Sequence, residues 1–184
     1  MINSYLTNAT NMNDQAIHLL FSANRWYDDV ILKIFFSAHL YSHVLPREAS
    51  EGIKAKLNAG TNVVCDRYAY SGVAFSSAKG MDTKWCKSCD KGLPAPDVII
   101  YLDMPIEVSA SRGNFGEERY ENTDFQEIVR SKFMDLKIND GDKECLWQVI
   151  DAARTIDEIQ TDVRNIALKT IREVGSTEIK MLWA

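Results

Sequence analysis

Cysteine is sparse in this chain, four in 184 residues. That is too few to staple a small secreted fold, so reduced thiols in an intracellular compartment are the default reading. There is no excess of basic charge either. Lys and Arg number 21 against 26 Asp and Glu, a net charge of −5, which argues against a coat for a polyanion but leaves room for one basic pocket around a phosphorylated small molecule. Residues 1–14 (MINSYLTNATNMND) have no basic stretch ahead of an apolar run, so no secretory leader is expected. The densest apolar stretch, Val30 to Leu45, contains Lys33, His39 and His43 and falls short of the roughly 20 residues of a spanning helix. Internal repeats and low-complexity segments are missing too. What is present, 46% hydrophobic and 26% charged residues, fits a soluble protein with a packed core and a single domain over 1–184.

The apolar pattern alternates between helix and strand. Asn13 or Asp14 can cap a helix running to about Trp26, with Ile17, Leu20 and Phe21 on its apolar side. Glu48 to Ala59 reads as a second helix closed by Gly60. Val63, Val64 and Cys65 suggest a short strand ending in Asp66-Arg67. Tyr68 to Lys79 is an expected helix, followed by a loop from Met81 to LPAPD at 93–97. The unbroken run Val98 to Leu102 is the pattern of a strand covered on both faces. Pro105 suits the start of a short helix. Thr123 and Gln126 make a capping box for a helix carrying Phe125, Ile128, Val129 and Phe133. Trp147 to Asp151 reads as a last strand, and Thr155 with Glu158 as a second capping box. The helix it opens lines up Ile156, Ile159, Val163, Ile166 and Ile171. The class is therefore α/β with a parallel sheet flanked by helices, although only three strands are expected.

Ligands of open α/β sheets sit beyond the carboxyl ends of the strands, where Asp66 and Arg67 fall. A carboxylate there can hold a hydrated Mg²⁺, and a guanidinium can clamp phosphate oxygens bidentately. Alone, the pair reads more simply as an exposed ion pair. The residues after it change the balance, because the small Ser71-Gly72 in DRYAYSGVAF lets a flat ligand approach the backbone.

DRYAYSGVAFSSAKG resembles the DRY-containing segment of eukaryotic thymidylate kinases, and three further segments agree in order. DQAIHLLFSANRW at 14–26 is similar to that family's thymidine-binding helix, GLPAPDVIIYL at 92–102 to the strand before its lid, and RGNFGEERYENTDFQE at 112–127 to the lid and the segment after it. The likeness covers nearly the whole chain except 27–47. It implies a P-loop-kinase-like domain that transfers a phosphoryl group from ATP to dTMP, giving dTDP for dTTP synthesis. Phe21 and Arg25, four apart and hence on one helix face, would stack on thymine and hydrogen-bond a ring carbonyl; the bland alternative is a core Phe and a surface Arg. The resemblance implies that Arg67 holds the monophosphate and that Asp66, also catalytic, acts on Mg²⁺ through water. Ser71 and Gly72 would line the base pocket, and Tyr120 and Gln126 would complete the nucleoside site. Arg112 would open a lid over 112–122 with Gly113 and Gly116 and lie against the adenine of ATP. It further implies a homodimer without nucleic-acid or membrane partners, in the cytoplasm, with nucleus or mitochondria as alternatives.

The chain departs from that pattern twice. The family's GxxxxGK[ST] loop has no counterpart, since none of the nine glycines is followed by Lys. The first strand and the P-loop are thus expected to be missing from the sheet, with loss of turnover and of stability. Tyr27–Arg47 is extra: a Glu follows ANRW directly in the family, and Glu48 resumes that pattern here. Its 21 residues correspond to 63 nucleotides, so a retained intron would keep the frame; a helical insertion is the other explanation. Two rival functions remain, a nucleotide-binding pseudo-kinase of the same family and another nucleoside monophosphate kinase, the latter disfavoured by ANRW with Phe21. Zinc is a poor reading of Cys86-x-x-Cys89 with His39 and His43, because the gap is long and the order reversed. His18 reads as packed or solvated rather than as a base.

Overall fold

The computed structural model describes residues 2–26, 49–111, 119–140, 147–175 and 177–184. Tyr27–Arg47, Glu48 and most of the expected lid, Arg112 included, lie outside them. The described residues gather into two compact units that the chain visits alternately: Met1–Met12 with Pro96–Thr177, and Asn13–Ala95 with Glu178–Ala184.

The first unit holds α1 (Ile2–Leu6), β1 (Ile99–Asp103), α6 (Ile106–Ala110), α7 (Thr123–Asp140), β2 (Trp147–Asp151) and α8 (Ile156–Val174); the second holds α2 (Asp14–Trp26), α3 (Ala49–Asn58), α4 (Ala69–Ala78) and α5 (Thr83–Ser88). The two apolar runs IIYLD and WQVID become the strands, paired in parallel from Ile99 opposite Trp147 to Asp103 opposite Asp151. The α/β class expected from the alternation holds. At the carboxyl end of β1 the Asp103 carboxylate takes both Nε and Nη2 of Arg130, at 2.7 and 2.6 Å, which ties α7 to the strand. Tyr101 packs on Phe133 with ring centroids 5.0 Å apart.

Capping follows the local chemistry. Thr155 accepts from the Glu158 amide, and Glu158 accepts in return from the Thr155 amide at 3.0 Å, the expected capping box. The α7 cap differs from expectation by one residue: Asn122 Oδ1 accepts from the Phe125 amide at 3.1 Å, while Gln126 Nε2 donates to the Tyr120 carbonyl at 2.7 Å. Thr123 is already the first helical residue, so its hydroxyl is past the capping position. The face α7 buries is Val129 and Leu136, one heptad apart, and Ile128 is exposed. The aliphatic stripe of α8 is only half-buried, and Ile156 is 81% exposed.

In the second unit Asn13 caps α2 by accepting from the Gln15 amide at 2.9 Å. The expected loop after Met81 contains α5, started by Asp82, whose carboxylate accepts from the Trp85 amide at 2.7 Å. The expected strand at Val63–Cys65 does not form; Cys65 makes a single bridge and no ladder. Its β-branched residues favour an extended chain, but this unit offers no neighbouring strand among the described residues. Residues near the chain's end complete this unit instead. Leu182 and Leu93, both buried, exchange backbone contacts: Gly92 N–H donates to the Leu182 carbonyl at 2.9 Å and Leu182 N–H to the Leu93 carbonyl at 2.8 Å. Ala95 N–H reaches the Lys180 carbonyl at 2.7 Å.

Candidate functional site

Helix α2 carries Phe21 and Arg25 one turn apart. Phe21 is half-buried, and Arg25 is only 7% exposed, so the surface-Arg alternative fails. A guanidinium cannot be buried at tolerable cost without an anion. Asp90, just beyond α5 and 0% exposed, supplies it. Arg25 Nε donates to Asp90 Oδ1 at 2.9 Å and Nη2 to Oδ2 at 2.5 Å. The Ser22 hydroxyl lies 2.8 Å from Asp90 Oδ1 and 2.9 Å from the Cys89 carbonyl, so its one proton serves one of the two at a time.

Gly72 on α4 is the opposite wall. A Cβ built there would stand 2.9 Å from Arg25 Nη2, 3.0 Å from Nη1 and 3.2 Å from Cζ. The small residue makes room for the protein's own guanidinium. Beside it on α4, Ser71 is half-buried.

Asp66 and Arg67 precede α4, and both are exposed. They form no ion pair with one another, which removes the bland reading of the pair. Arg67 has a left-handed backbone, φ +60, a conformation that costs a non-glycine residue roughly 1–2 kcal/mol. Its guanidinium carbon lies 5.7 Å from the centre of the Phe75 ring, a cation–π contact that orients it while leaving its donors to solvent.

Tyr120 and Gln126 belong to the other unit, joined by the side-chain bond already described. Tyr120 stacks on Phe125 at 5.5 Å, and its hydroxyl donates to Tyr5 at 3.2 Å. Arg119, which the sequence reading passed over, anchors that end by donating to the Tyr5 and Thr10 carbonyls and to Asn11 Oδ1. Arg112, Gly113 and Gly116 lie outside the described residues.

The sequence reading also missed Asp90. Its partner is 65 positions away, and nothing in CDKG marks it as buried.

His18, one turn before Ser22, is buried between α4 and α5 with its ring 5.4 Å from that of Trp85. Its Nε2 is 3.1 Å from the Cys86 carbonyl and its Nδ1 is 2.7 Å from the Ser76 hydroxyl. A carbonyl can only accept, so Nε2 carries a proton; burial disfavours a second proton on the ring, and in the neutral ring Nδ1 accepts from the Ser76 hydroxyl. Burial holds its pKa below the ordinary 6.5. The unfolded chain therefore takes up a proton at a higher pH than the folded one. Stability from this site should be complete above about pH 6.5 and fall as the pH drops towards the folded value. Melting temperatures between pH 7.5 and 5 should fall more steeply for the wild type than for His18→Gln; parallel curves would contradict this.

Comparison with known proteins places the geometry among relatives. The sequence profile described as thymidylate kinase matches residues 1–163. The Dictyostelium discoideum thymidylate kinase is 42% identical over 182 residues, 99% of this chain and 70% of that protein. The Danio rerio thymidylate kinase is 40% identical over 184 residues, all of this chain and 76% of that protein. The solved thymidylate kinase of Candida albicans superposes with a TM-score of 0.76 at 32% identity, covering 98% of this chain and 79% of the other.

Proposed function

The chain belongs to the thymidylate kinase family, and from that premise we propose how its residues serve the family's reaction, transfer of a phosphoryl group from ATP to dTMP to give dTDP. The observation that carries the assignment of roles is Arg67, an exposed guanidinium without an ion-pair partner among the described residues, steadied over Phe75. Such a fork takes two phosphate oxygens at once, so Arg67 holds the monophosphate of dTMP. Phe21 stacks on the thymine, Arg25 donates to a ring carbonyl, and Ser71 and Gly72 line the base. Tyr120 and Gln126 complete the nucleoside site, and Arg112 lies against the adenine of ATP. Asp66 is an exposed carboxylate next to Arg67, a donor type that suits a hydrated Mg²⁺, which when bound would screen phosphate charge.

The chain reads as one such kinase domain that works as a homodimer, in the cytoplasm or alternatively in the nucleus or mitochondria. Among the described residues no helix is long and apolar enough to cross a membrane. For the 184-residue stretch taken alone a second reading is nucleotide binding without turnover, since none of its nine glycines is followed by Lys.

The role of Arg67 separates phosphate from nucleoside. Hydrogen bonds to charged groups contribute about 1.5–3 kcal/mol, so Arg67→Ala should weaken dTMP binding by about 10- to 100-fold in calorimetry. Thymidine, which lacks the phosphate, should bind the variant almost as it binds the wild type. Equal losses for both ligands would assign Arg67 to the fold.

A further inference from the structure

We propose that Asp90 is a positioning residue for base selection: it fixes the plane of the Arg25 guanidinium so that the edge left unpaired meets an acceptor on the pyrimidine. The inference rests on the reading of Arg25 as the base contact. Asp90 touches neither phosphate nor base; it acts through Arg25.

The geometry of the grip carries the argument. Asp90 engages Arg25 side-on, through Nε and Nη2. An arginine has five N–H donors in a rigid fork, and this grip uses two. Nη1 has no hydrogen-bond partner among the described residues, so both its protons and the second proton of Nη2 remain for a ligand. That end of the fork lies against the face of Gly72, where even a methyl group would come within 3.0 Å of both terminal nitrogens. With the carboxylate on one edge and α4 on another, the guanidinium cannot rotate without breaking the pair or striking backbone.

The carboxylate is itself held. Ser22 lies 2.8 Å from Oδ1, the oxygen that accepts from Arg25 Nε. The Asp90 backbone is fixed on both sides, its N–H donating to the Lys87 carbonyl at 3.1 Å and its carbonyl accepting from Leu93 N–H at 3.2 Å. Stability alone does not account for the arrangement, because well-packed apolar residues replace buried ion pairs at little or no cost. An apolar pair of the same volume would leave nothing to aim. What the ions add is a fixed set of donors, and a donor-only fork accepts a carbonyl oxygen while rejecting an amino group at the same ring position. The ligand class so selected is a pyrimidine nucleotide with a carbonyl, not an amino group, on the edge facing Arg25.

Binding of dTMP and dCMP by the 184-residue chain tests this, using Arg25→Met, Asp90→Asn, the double variant and Ser22→Ala, each checked for a cooperative melt. The expected result is that Asp90→Asn reduces the preference for dTMP over dCMP at least about tenfold, and that adding Asp90→Asn to Arg25→Met changes the preference no further. A residue that merely supported the fold would weaken both ligands alike. Arg25→Met retaining the preference would refute the underlying reading of Arg25. Arg25→Met losing it while Asp90→Asn retains it would overturn the positioning role alone. Should Asp90→Asn fail to fold, Ser22→Ala decides: a reduced preference supports the proposal, and an unchanged one overturns it.

Discussion

No dTDP above background is expected when the 184-residue polypeptide is incubated with ATP, dTMP and Mg²⁺, where ordinary enzymes turn over at roughly 1 to 10³ per second. Phosphoryl transfer asks little covalent chemistry of a protein; the rate comes from aligning donor and acceptor and from stabilising charge on the transferring group. In P-loop kinases much of both is supplied by a GxxxxGK[ST] loop, whose amides and lysine cradle the phosphates. The nine glycines here include none followed by Lys. In the roles proposed for them, Arg67 would meet the acceptor phosphate and Asp66 a hydrated ion, and neither replaces that cradle. Fusing a segment that carries such a loop ahead of residue 1 and deleting Tyr27–Arg47 should restore turnover. Measurable turnover by the unmodified polypeptide would refute the first expectation, and a fused chain that binds ATP yet stays inactive would refute the roles given to Asp66 and Arg67.

Removing Arg25 alone should have the largest effect on stability of any single substitution at the site. Arg25→Leu leaves the Asp90 carboxylate, 0% exposed, with only Ser22 as a side-chain donor among the described residues. Breaking one partner of a buried ion pair costs about 3–5 kcal/mol, a large share of a domain's ~5–15 kcal/mol. Asp90→Leu should cost about as much. The double variant Arg25→Leu/Asp90→Leu removes both charges together and should regain most of the loss. Urea unfolding followed by amide exchange in α4 would measure all three. Single variants within about 1 kcal/mol of wild type would show that the pair is far better hydrated than its burial implies.

The sequence revealed those features whose causes lie within a few residues of one another. The α8 capping box needs only Thr155 and Glu158, three apart, and both strands at 99–103 and 147–151 are short unbroken apolar runs. Phe21 and Arg25 share a helix face for the same reason. Features that depend on distant partners were not legible. Asp90 looks like an ordinary loop carboxylate until the chain folds α2 against it. Gly72 is legible as small, but not as small for the sake of Arg25. Val63–Cys65 has the composition of a strand but, beyond the single bridge at Cys65, no strand pairs with it among the described residues, and the six residues of α5 are too few to show a helical period, leaving Asp82 as the single available sign. Periodicity names the apolar face of α8 without saying how much of it is covered, hence the exposed Ile156.

The pairing of Gly92, Leu93 and Ala95 with Lys180 and Leu182 has a consequence for biosynthesis. The chain starts in one unit, crosses to the other at Asn13, returns at Pro96 and finishes in the second at Glu178. Domains made of contiguous sequence can fold one after another as they leave the ribosome, at roughly 5–20 residues per second. Neither unit here has that option. The segment carrying Phe21, Arg25, Arg67 and Asp90 emerges before Pro96–Thr177, but Leu93 stays without its backbone partner until Leu182 has been added. For the interval in which Pro96–Thr177 is being made, Gly92, Leu93 and Ala95 wait without the backbone partners that Lys180 and Leu182 supply, and the second unit stays incomplete.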